Sequence, residues 1–377
     1  MTITIAIDSF KGSLSSIDAG NAAAEGIRRV YPDACIHVRP LADGGEGTVE
    51  AMAAGLCGIM RTVRVSDPLG RPIDASYCIA DNLAVIEMAS AAGLPILTAE
   101  ERNPLVTTTY GVGEMIADAM AQGCRDFVIG IGGSATNDGG TGMLAALGFG
   151  LYDDVGAPIP MGAAGLAKLA RIDTSCAMPE LSECRFRVAC DVKNPLCGES
   201  GCSAVFAPQK GANEAMIADM DKWLAAFAAL TKTVKPDADE TYPGCGAAGG
   251  MGFALREYLG GELISGVELA LSVTALADYA AVSDLVITGE GRLDAQTAMG
   301  KAPAGVAAIA KRFGKPCIAF AGSVTDGASA CNHAGIDAFF PIRRNICTLA
   351  EAMEPARAHR ELADTAEQVM RLIRTFG

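Results

Sequence analysis

The chain has 377 residues, 50% hydrophobic and 20% charged, with 44 glycines, which is enough for two domains with sizeable cores. Its net charge of -14, with no local basic patch, excludes nucleic acid as an expected partner, because the phosphate backbone would be repelled. The 13 cysteines form no CxxC pair, only three histidines occur, and no apolar run reaches membrane length, so we expect a reduced, cytoplasmic protein without zinc or a membrane partner.

The N-terminal segment predicts strands that alternate with helices. Residues 3–8 (ITIAID) read as a buried strand, and residues 16–30 as a helix with Ser15 as its N-cap and Asp18 three residues later. Residues 35–42 form the next predicted strand, and a second helix opens near Asp43. Asp43 and Glu46 are either cation ligands or ordinary first-turn acids that the helix dipole favours.

The pattern changes in the middle of the chain and then returns. Residues 61–91 alternate in short runs broken by PLGR and DN, which predicts antiparallel strands joined by turns. From residue 284 the chain again alternates, with predicted strands at 284–289, 317–322 and 338–342 and predicted helices at 303–313, 328–333 and 354–376. Thr348 and Glu351 form a predicted capping box.

Together these elements indicate an α/β protein with a discontinuous, doubly wound parallel-sheet domain. We expect it to comprise residues 1–60 and 284–377, with residues 61–283 forming an inserted mixed α/β domain with glycine-rich loops. In a strand order of 2-1-3-4-5, ligands bind at the carboxyl ends of the first and third strands. Those ends carry DSFKGS (residues 8–13) and TGEGRLD (residues 288–294), so we expect the two polar segments to meet at one crevice.

A glycine-rich segment, DFVIGIGGSATNDGGTGMLAALG at residues 126–148, predicts a strand, a loop and a helix. Backbone N–H groups in such a loop can bind phosphate, although no Lys-Ser/Thr pair follows as in a Walker A motif. The GxGxxA pattern from Gly130, with Asp153 further on, leaves a dinucleotide-binding unit open. The short span from Gly139 to Gly148 counts against it, and a simple tight turn is the third alternative.

Two further segments carry polar or glycine-rich patterns. Asp191 follows a predicted strand at residues 185–190 and is a base, a metal ligand or merely a capping acid. Gln209 and Lys210, before Gly211, form a similar but weaker polar pair. CGAAGGMGFAL at residues 245–255 either approaches a ligand or lets two backbones pack closely.

Several of these motifs occur together in one known family. DSFKGS, LADGGEGT, IGIGGSATNDGGTGM, CDVKNPL, FAPQKGA, GAAGGMG and VITGEGRLDAQTAMGK follow one another in the order seen there. Over essentially its whole length, the chain resembles the class I glycerate kinases of bacteria. The resemblance implies a flavodoxin-like domain with an inserted second domain. It also implies ATP-dependent phosphorylation of D-glycerate, usually to 2-phosphoglycerate, in glyoxylate, glucarate and galactarate breakdown.

The resemblance and phosphoryl-transfer chemistry together suggest roles for the candidate residues, in a cleft between the domains. Lys11 and Arg292 would hold the glycerate carboxylate, with Ser9 and Glu290 as further substrate contacts. Mg²⁺ and Lys11 would share the charge of the ATP phosphates with a loop of seven residues: Gly132, Gly133, Ser134, Ala135, Thr136, Asn137 and Asp138. Asp191 and Asp294 are the candidates for both the base and the Mg²⁺ ligand.

Two rival functions remain open at this point. The GxGxxA pattern is compatible with an NAD-dependent hydroxyacid dehydrogenase, and the same loops would suit a non-catalytic sensor of small acids or nucleotides. Formation of ADP from ATP and glycerate would distinguish both from a kinase. The sequence also leaves open which hydroxyl is phosphorylated and the oligomeric state, a homodimer being one option.

Overall fold

A computed structural model describes residues 1–41, 48–56 and 58–376. Its strands are β1 (Thr2–Ile7), β2 (Cys35–Val38), β3 (Ile59–Ser66), β4 (Pro72–Ala80), β5 (Leu83–Glu87), β6 (Asp126–Gly130), β7 (Gly150–Tyr152), β8 (Arg171–Asp173), β9 (Arg185–Ala189), β10 (Glu262–Ile264), β11 (Leu285–Leu293), β12 (Cys317–Val324) and β13 (Ala338–Pro341). Its helices are α1 (Ser16–Arg28), α2 (Thr48–Leu56), α3 (Ala89–Ala92), α4 (Tyr110–Ala121), α5 (Thr141–Ala146), α6 (Ala163–Leu166), α7 (Cys202–Phe206), α8 (Glu214–Val234), α9 (Met251–Leu259), α10 (Gly266–Val273), α11 (Leu276–Val282), α12 (Ala302–Arg312), α13 (Ala330–His333), α14 (Leu349–Met353) and α15 (Pro355–Phe376).

The chain divides into two compact units. The first contains Met1–Asp43, Glu50–Cys57 and Val267–Gly377, and the second contains Gly44–Val49 and Gly58–Gly266. Helix α11 therefore belongs to the first unit, whereas the sequence analysis assigned it to the inserted domain. The division into a domain of residues 1–60 and 284–377 and an inserted domain of residues 61–283 stays a prediction.

The first unit contains a five-stranded parallel sheet in the order β13-β12-β11-β1-β2, which confirms the predicted order 2-1-3-4-5. Alternating side chains of β1 face opposite layers. Ile3 and Ile5 pack with α1 and α15 on one face, and Ala6 packs with α11 and α12 on the other. Because β1 is central and apolar on both sides, the sheet is covered by helices on both faces.

Several predicted ends of elements are confirmed. The Ser15 hydroxyl accepts a hydrogen bond from the Asp18 N–H at 3.1 Å and caps α1, and Thr348 with Glu351 forms the capping box of α14. Strand β2 ends at Val38, and residues 39–41 are not strand, so the predicted strand at 35–42 was too long. Asp43 and Glu46 lie outside the described residues.

Strand β11 is longer than the predicted strand, which stopped at residue 289. It continues to Leu293, opposite Val324 of β12, although glycines and charged residues usually end a strand. Gly289 allows this pairing, because a Cβ atom there would lie 2.1 Å from the Phe320 carbonyl oxygen. A second difference concerns the helix predicted at 328–333. The chain there forms a 3-10 turn, Asp326–Ser329, followed by the single turn of α13.

The second unit contains a six-stranded mixed sheet in the order β10-β9-β6-β5-β4-β3. Strands β3, β4 and β5 are antiparallel, as predicted for residues 61–91, and β5, β6, β9 and β10 are parallel. Phe127 of β6 and Phe186 of β9 stack at 4.8 Å between ring centres within the core. Strands β7 and β8 form a separate antiparallel pair. Among the described residues, none of the helices combines the length and hydropathy that a bilayer span requires.

Candidate active site

The loop after β1 and the end of β11 lie side by side in the first unit. The Asp8 N–H donates to the Gly289 carbonyl at 2.9 Å, and the loop turns through Gly12, whose φ is +77°. A Cβ atom on Gly291 would lie 3.6 Å from the backbone nitrogen of Lys11. The prediction that the two polar segments meet is therefore confirmed, and it places the exposed Lys11 and the half-buried Ser9 beside Gly291.

Two carboxylates in this cluster have opposite electrostatic tendencies. Burial raises the pKa of Glu290, although its hydrogen bond from the Thr297 hydroxyl and the nearby Lys301 ammonium act the other way. The pKa of Asp294 is lowered: burial opposes this, but the Thr297 N–H donates to the carboxylate at 3.1 Å and the Lys301 ammonium lies 3.5 Å away. Asp294 therefore keeps its negative charge more readily than Glu290.

Cations surround these carboxylates on the described surface of the first unit. Arg292 is exposed and lies two residues from Glu290 on β11, so both side chains leave the strand on the same side. Among the described residues, its guanidinium has no hydrogen bond or ion pair. With Lys11 and Lys301, it gives this edge of the sheet three positive charges suited to an anionic substrate.

The glycine-rich loop connects β6 to α5 in the second unit. Gly132 and Gly133 are exposed, and Gly133 has a φ of +71°. Within the described part of the chain, no acceptor is found for the N–H group of either glycine. The Leu94 N–H donates to the Gly133 carbonyl at 2.9 Å, and the Ala135 N–H to the Ala92 carbonyl at 2.8 Å, which fixes the loop against residues 92–94.

The remaining residues of this loop, Ser134 to Asp138, are buried. The Asp138 carboxylate accepts four hydrogen bonds: from the N–H and hydroxyl of Thr109 at 2.8 and 2.9 Å, and from the N–H groups of Gly140 and Gly142 at 3.1 and 3.2 Å. The Asn137 amide donates to the Ser203 hydroxyl at 2.9 Å. Both side chains thus hold the loop in shape. Nucleotide contacts at Ala135, Thr136, Asn137 and Asp138 stay a prediction.

Sequence reasoning missed one support of the loop and gave little weight to another. The TTT segment at residues 107–109 is buried, with the Thr107 hydroxyl donating to the Ala135 carbonyl at 2.9 Å. Lys210, given little weight from the sequence, is only 1% exposed, and its ammonium donates to the Ser134 hydroxyl and the Thr136 carbonyl. Three consecutive hydroxyl residues, immediately before what the structure shows as α4, were the available signal for the first support.

Asp191 lies at the same sheet edge as the glycine-rich loop. Gly130 of β6 pairs with Ala189 of the parallel neighbour β9, so the loop and Asp191 leave adjacent strands at corresponding positions. Asp191 is exposed, and its carboxylate accepts from the Gly266 N–H at 3.0 Å. The second unit therefore holds the loop and Asp191, and the first unit holds Ser9, Lys11, Glu290, Arg292 and Asp294.

The geometry of the loop does not match a dinucleotide-binding unit. Helix α5 has six residues and leads to β7, which pairs antiparallel with β8 instead of joining the parallel sheet. Asp153 caps a turn, accepting from the N–H groups of Val155 and Ala157 at 3.1 and 2.8 Å. The crossover and the ribose-binding acid of that motif are thus both missing from this segment.

The donor set fits a cation that ligands and protein share. Across residues 1–41, 48–56 and 58–376, no three His, Cys, Asp or Glu side chains come together as a metal cage. Mg²⁺ usually takes one or two protein carboxylates and completes its shell with phosphates and water. Each unit offers one such carboxylate after a strand, Asp191 in the second unit and Asp294 in the first, and a magnesium role for either stays a prediction.

Comparison with known proteins gives one consistent result. The family model described as the glycerate kinase family matches residues 3–374. The chain is 47% identical to glycerate 2-kinase of Escherichia coli K12, over 98% of this chain and 99% of that protein. It is 43% identical to a glycerate kinase of Bacillus subtilis 168, over 96% and 95% of the two chains. The crystal structure of a protein described as glycerate kinase 2 from Salmonella typhimurium LT2 superposes with a TM-score of 0.91 at 45% identity, covering 100% and 98%.

Proposed function

The chain belongs to the glycerate kinase family and is a kinase of that family, and we propose that it transfers the γ-phosphoryl group of ATP to the 2-hydroxyl of D-glycerate. The observation that carries this proposal is the family match over residues 3–374. The name of the Escherichia coli relative, glycerate 2-kinase, supports 2-phosphoglycerate as the product. We further propose a cytoplasmic enzyme of glyoxylate, glucarate and galactarate breakdown, with a homodimer as the assembly to test.

In this proposal the first unit binds glycerate. Arg292 and Lys11 hold the carboxylate, since a guanidinium matches its planar geometry and an ammonium adds a second charge-assisted contact. Ser9 and Glu290 accept or donate hydrogen bonds at the substrate hydroxyls. Burial raises the pKa of Glu290, which favours a hydrogen-bonding role there over that of a charged ligand.

The second unit binds the phosphates of ATP. Gly132 and Gly133 are exposed, and their N–H groups have no acceptor in the described protein, which supports their use as hydrogen-bond donors to phosphate. Ser134, the next residue of the loop, is a further proposed contact to the phosphates. Lys11 neutralises charge on the transferred group, since positioning and electrostatics dominate phosphoryl transfer.

Asp191 serves as the base in this scheme. Its carboxylate takes the proton of the attacking hydroxyl as the new O–P bond forms and the bond from the γ-phosphorus to the departing ADP oxygen breaks. With Asp191 as the base, Asp294, whose pKa is lowered, is the carboxylate that would hold Mg²⁺, and the exchange of these two roles is the alternative. When bound, Mg²⁺ supplies charge neutralisation on the phosphates.

Phosphorus NMR of the product of ATP and D-glycerate tests this proposal. A new phosphomonoester resonance should appear as a doublet, because phosphorus on the 2-oxygen couples to one carbon-bound proton. Phosphorylation of the 3-oxygen would give a triplet. NADH formation with glycerate, or a ligand-induced thermal shift without ADP, would instead support one of the two rival functions.

A further inference from the structure

A buried lysine lies beneath the glycine-rich loop. Lys210 ends the 3-10 turn Pro208–Lys210, and Gly211 follows with a φ of +95°. The side chain is 1% exposed, and its ammonium donates to the Ser134 hydroxyl at 2.8 Å and to the Thr136 carbonyl at 2.6 Å. The turn and the two hydrogen bonds together point this cation at the loop.

The ammonium has no carboxylate of its own among the described residues. Two titratable groups face it: Asp138 from the loop and Cys202 from α7. The Asp138 carboxylate is already bonded to Thr109, Gly140 and Gly142, and burial raises the pKa of Cys202 to about 11, so this thiol stays neutral. The Asp138 charge acts on the ammonium without a direct ion pair, so the cost of burying the cation is only partly offset and the site favours an additional negative charge.

The surface above the ammonium provides a place for that charge. The loop that Lys210 holds presents the exposed N–H groups of Gly132 and Gly133, for which the described protein offers no acceptor. An anion there would be bound by backbone donors on one side and stabilised by a desolvated cation behind them. Electrostatic effects of this kind are stronger where water is excluded.

We propose that Lys210 is a positioning residue of the nucleotide site, which holds the glycine-rich loop through Ser134 and Thr136 while its buried charge is balanced by the phosphates of the bound nucleotide. The inference rests on the proposed phosphate-binding role of the loop. It adds a specific residue, and it predicts that protonation of Lys210 and nucleotide binding favour each other, since such coupling is reciprocal.

The coupling predicts a particular pH dependence. Burial lowers the pKa of Lys210 to about 8. Phosphate should raise it again, so the affinity for ADP should fall as pH rises from about 7.5 to 9.5, where the phosphates of ADP no longer titrate. In Lys210→Met this dependence should vanish, because the methionine side chain fits the space but carries no charge.

Calorimetric titration with ADP tests the inference directly. We expect Lys210→Met to bind ADP about 10- to 100-fold more weakly at pH 7.5, the range for loss of a charge-assisted hydrogen bond, while D-glycerate affinity is unchanged. Lys222→Met, at an exposed lysine of α8, is the matched control and should bind ADP like the wild type. Ser134→Ala, which keeps the lysine, should weaken ADP binding about tenfold and covers the case in which Lys210→Met does not fold.

Equal ADP affinity in wild type, Lys210→Met and Ser134→Ala would overturn the inference, as would a pH-independent wild-type affinity. A combined loss of ADP and D-glycerate binding would indicate a merely structural lysine and would overturn it too. The result is separable from the proposed function, because ADP binding is measured without turnover. A wild type that binds ADP as expected but makes no phosphoglycerate would contradict only the proposed substrate.

Discussion

Lys11 is the residue at which the first unit's polar loop reaches the end of β11. It is exposed and supports no core, so Lys11→Ala should leave the unfolding temperature unchanged. We expect kcat/KM for glycerate to fall by at least about 100-fold, the scale of losing one transition-state contact. A coupled ADP-release assay measures this, with Lys222→Ala as the control for removing a surface lysine. Near-wild-type activity would mean that Lys11 is an ordinary loop residue.

Substitutions of Asp191 and Asp294 can distinguish the base from the metal ligand. Asp191→Asn preserves size and the acceptor for the Gly266 N–H, but it removes the basic carboxylate, so kcat should fall by about 100-fold or more. Binding of ATP and glycerate should persist. Steady-state kinetics at several Mg²⁺ concentrations provide the measurement. Partial rescue by Mg²⁺ would indicate a metal ligand, and a far larger loss in Asp294→Asn would assign the base to Asp294.

The sequence was a good guide to site residues at strand ends and a poor guide to those beneath them. Lys11 and Arg292 belong to the carboxyl-end segments of two neighbouring strands whose order could be predicted, so the meeting of those segments could be predicted as well. Lys210 could not be identified in this way, since lysine is almost always exposed and only the folded turn reveals its burial. Asp138 looked like a ligand, yet its carboxylate accepts from its near neighbours Gly140 and Gly142 and from Thr109, which only the tertiary structure brings to it.

At the scale of elements, the 3-10 turn Ala247–Gly250 supports the back of the glycine-rich loop. The Gly139 N–H donates to the Gly249 carbonyl at 2.9 Å. A Cβ atom on Gly249 would lie 2.1 Å from the Thr136 carbonyl oxygen and 2.6 Å from the Asn137 Cα. Of the two alternatives that the sequence left open for this segment, its contacts support close backbone packing.

Gly249→Ala should therefore damage both stability and nucleotide binding. Its φ of +66° is nearly the same as the +65° of Gly260, where a Cβ atom would meet nothing within 4 Å. Both substitutions carry the backbone penalty of about 1–2 kcal/mol, but only Gly249→Ala must also displace the loop. Urea unfolding and ADP titration of the two variants provide the comparison. Equal losses in both would show that the close contact relaxes at no cost.

Element identity was easier to predict than element length. The apolar strand β1 and the capped helix α1 were expected because local signals and burial agree. Strand β11 exceeded its prediction, because Glu290 and Arg292 look like loop residues until β12 is seen to pair beside them. Local propensity carries no information about the partner strand β12, which lies about 30 residues further along the chain.

At the scale of the whole molecule, every described cysteine is a free thiol and many are buried. Burial raises the pKa of Cys78 to about 11 and those of Cys245 and Cys317 to about 12. The folded state therefore holds these protons more tightly than the unfolded state. The stability that they contribute is complete below about pH 8.5 and declines as pH rises toward 12.

Urea unfolding between pH 8 and 11 should show this decline, and dithiothreitol should leave the midpoint unchanged because these thiols form no disulfide. Lys210 has the opposite effect on the pH dependence of stability. Because burial lowers its pKa to about 8, the folded state gains stability relative to the unfolded state as the pH rises above about 8. Lys210→Met removes that opposing effect, so its stability should decline more steeply than that of the wild type. Parallel curves for the two proteins would contradict the assignment of a depressed pKa to Lys210.

The first unit's sheet pairs two strands that lie far apart in the sequence, β1 and β11, and this has a consequence for synthesis on the ribosome. Ile5 pairs with Ile287, and β1 lies between β2 and β11. During translation, the edge of β1 that pairs with β11 therefore stays open until about 280 further residues have been made, because Ile287 follows Ile5 by 287 − 5 = 282 positions. Residues Gly58–Gly266 of the second unit emerge in one continuous stretch and can complete most of their contacts first. The apolar ITIAI segment of β1 is thus a part of the chain for which protection by a chaperone matters long after its own synthesis.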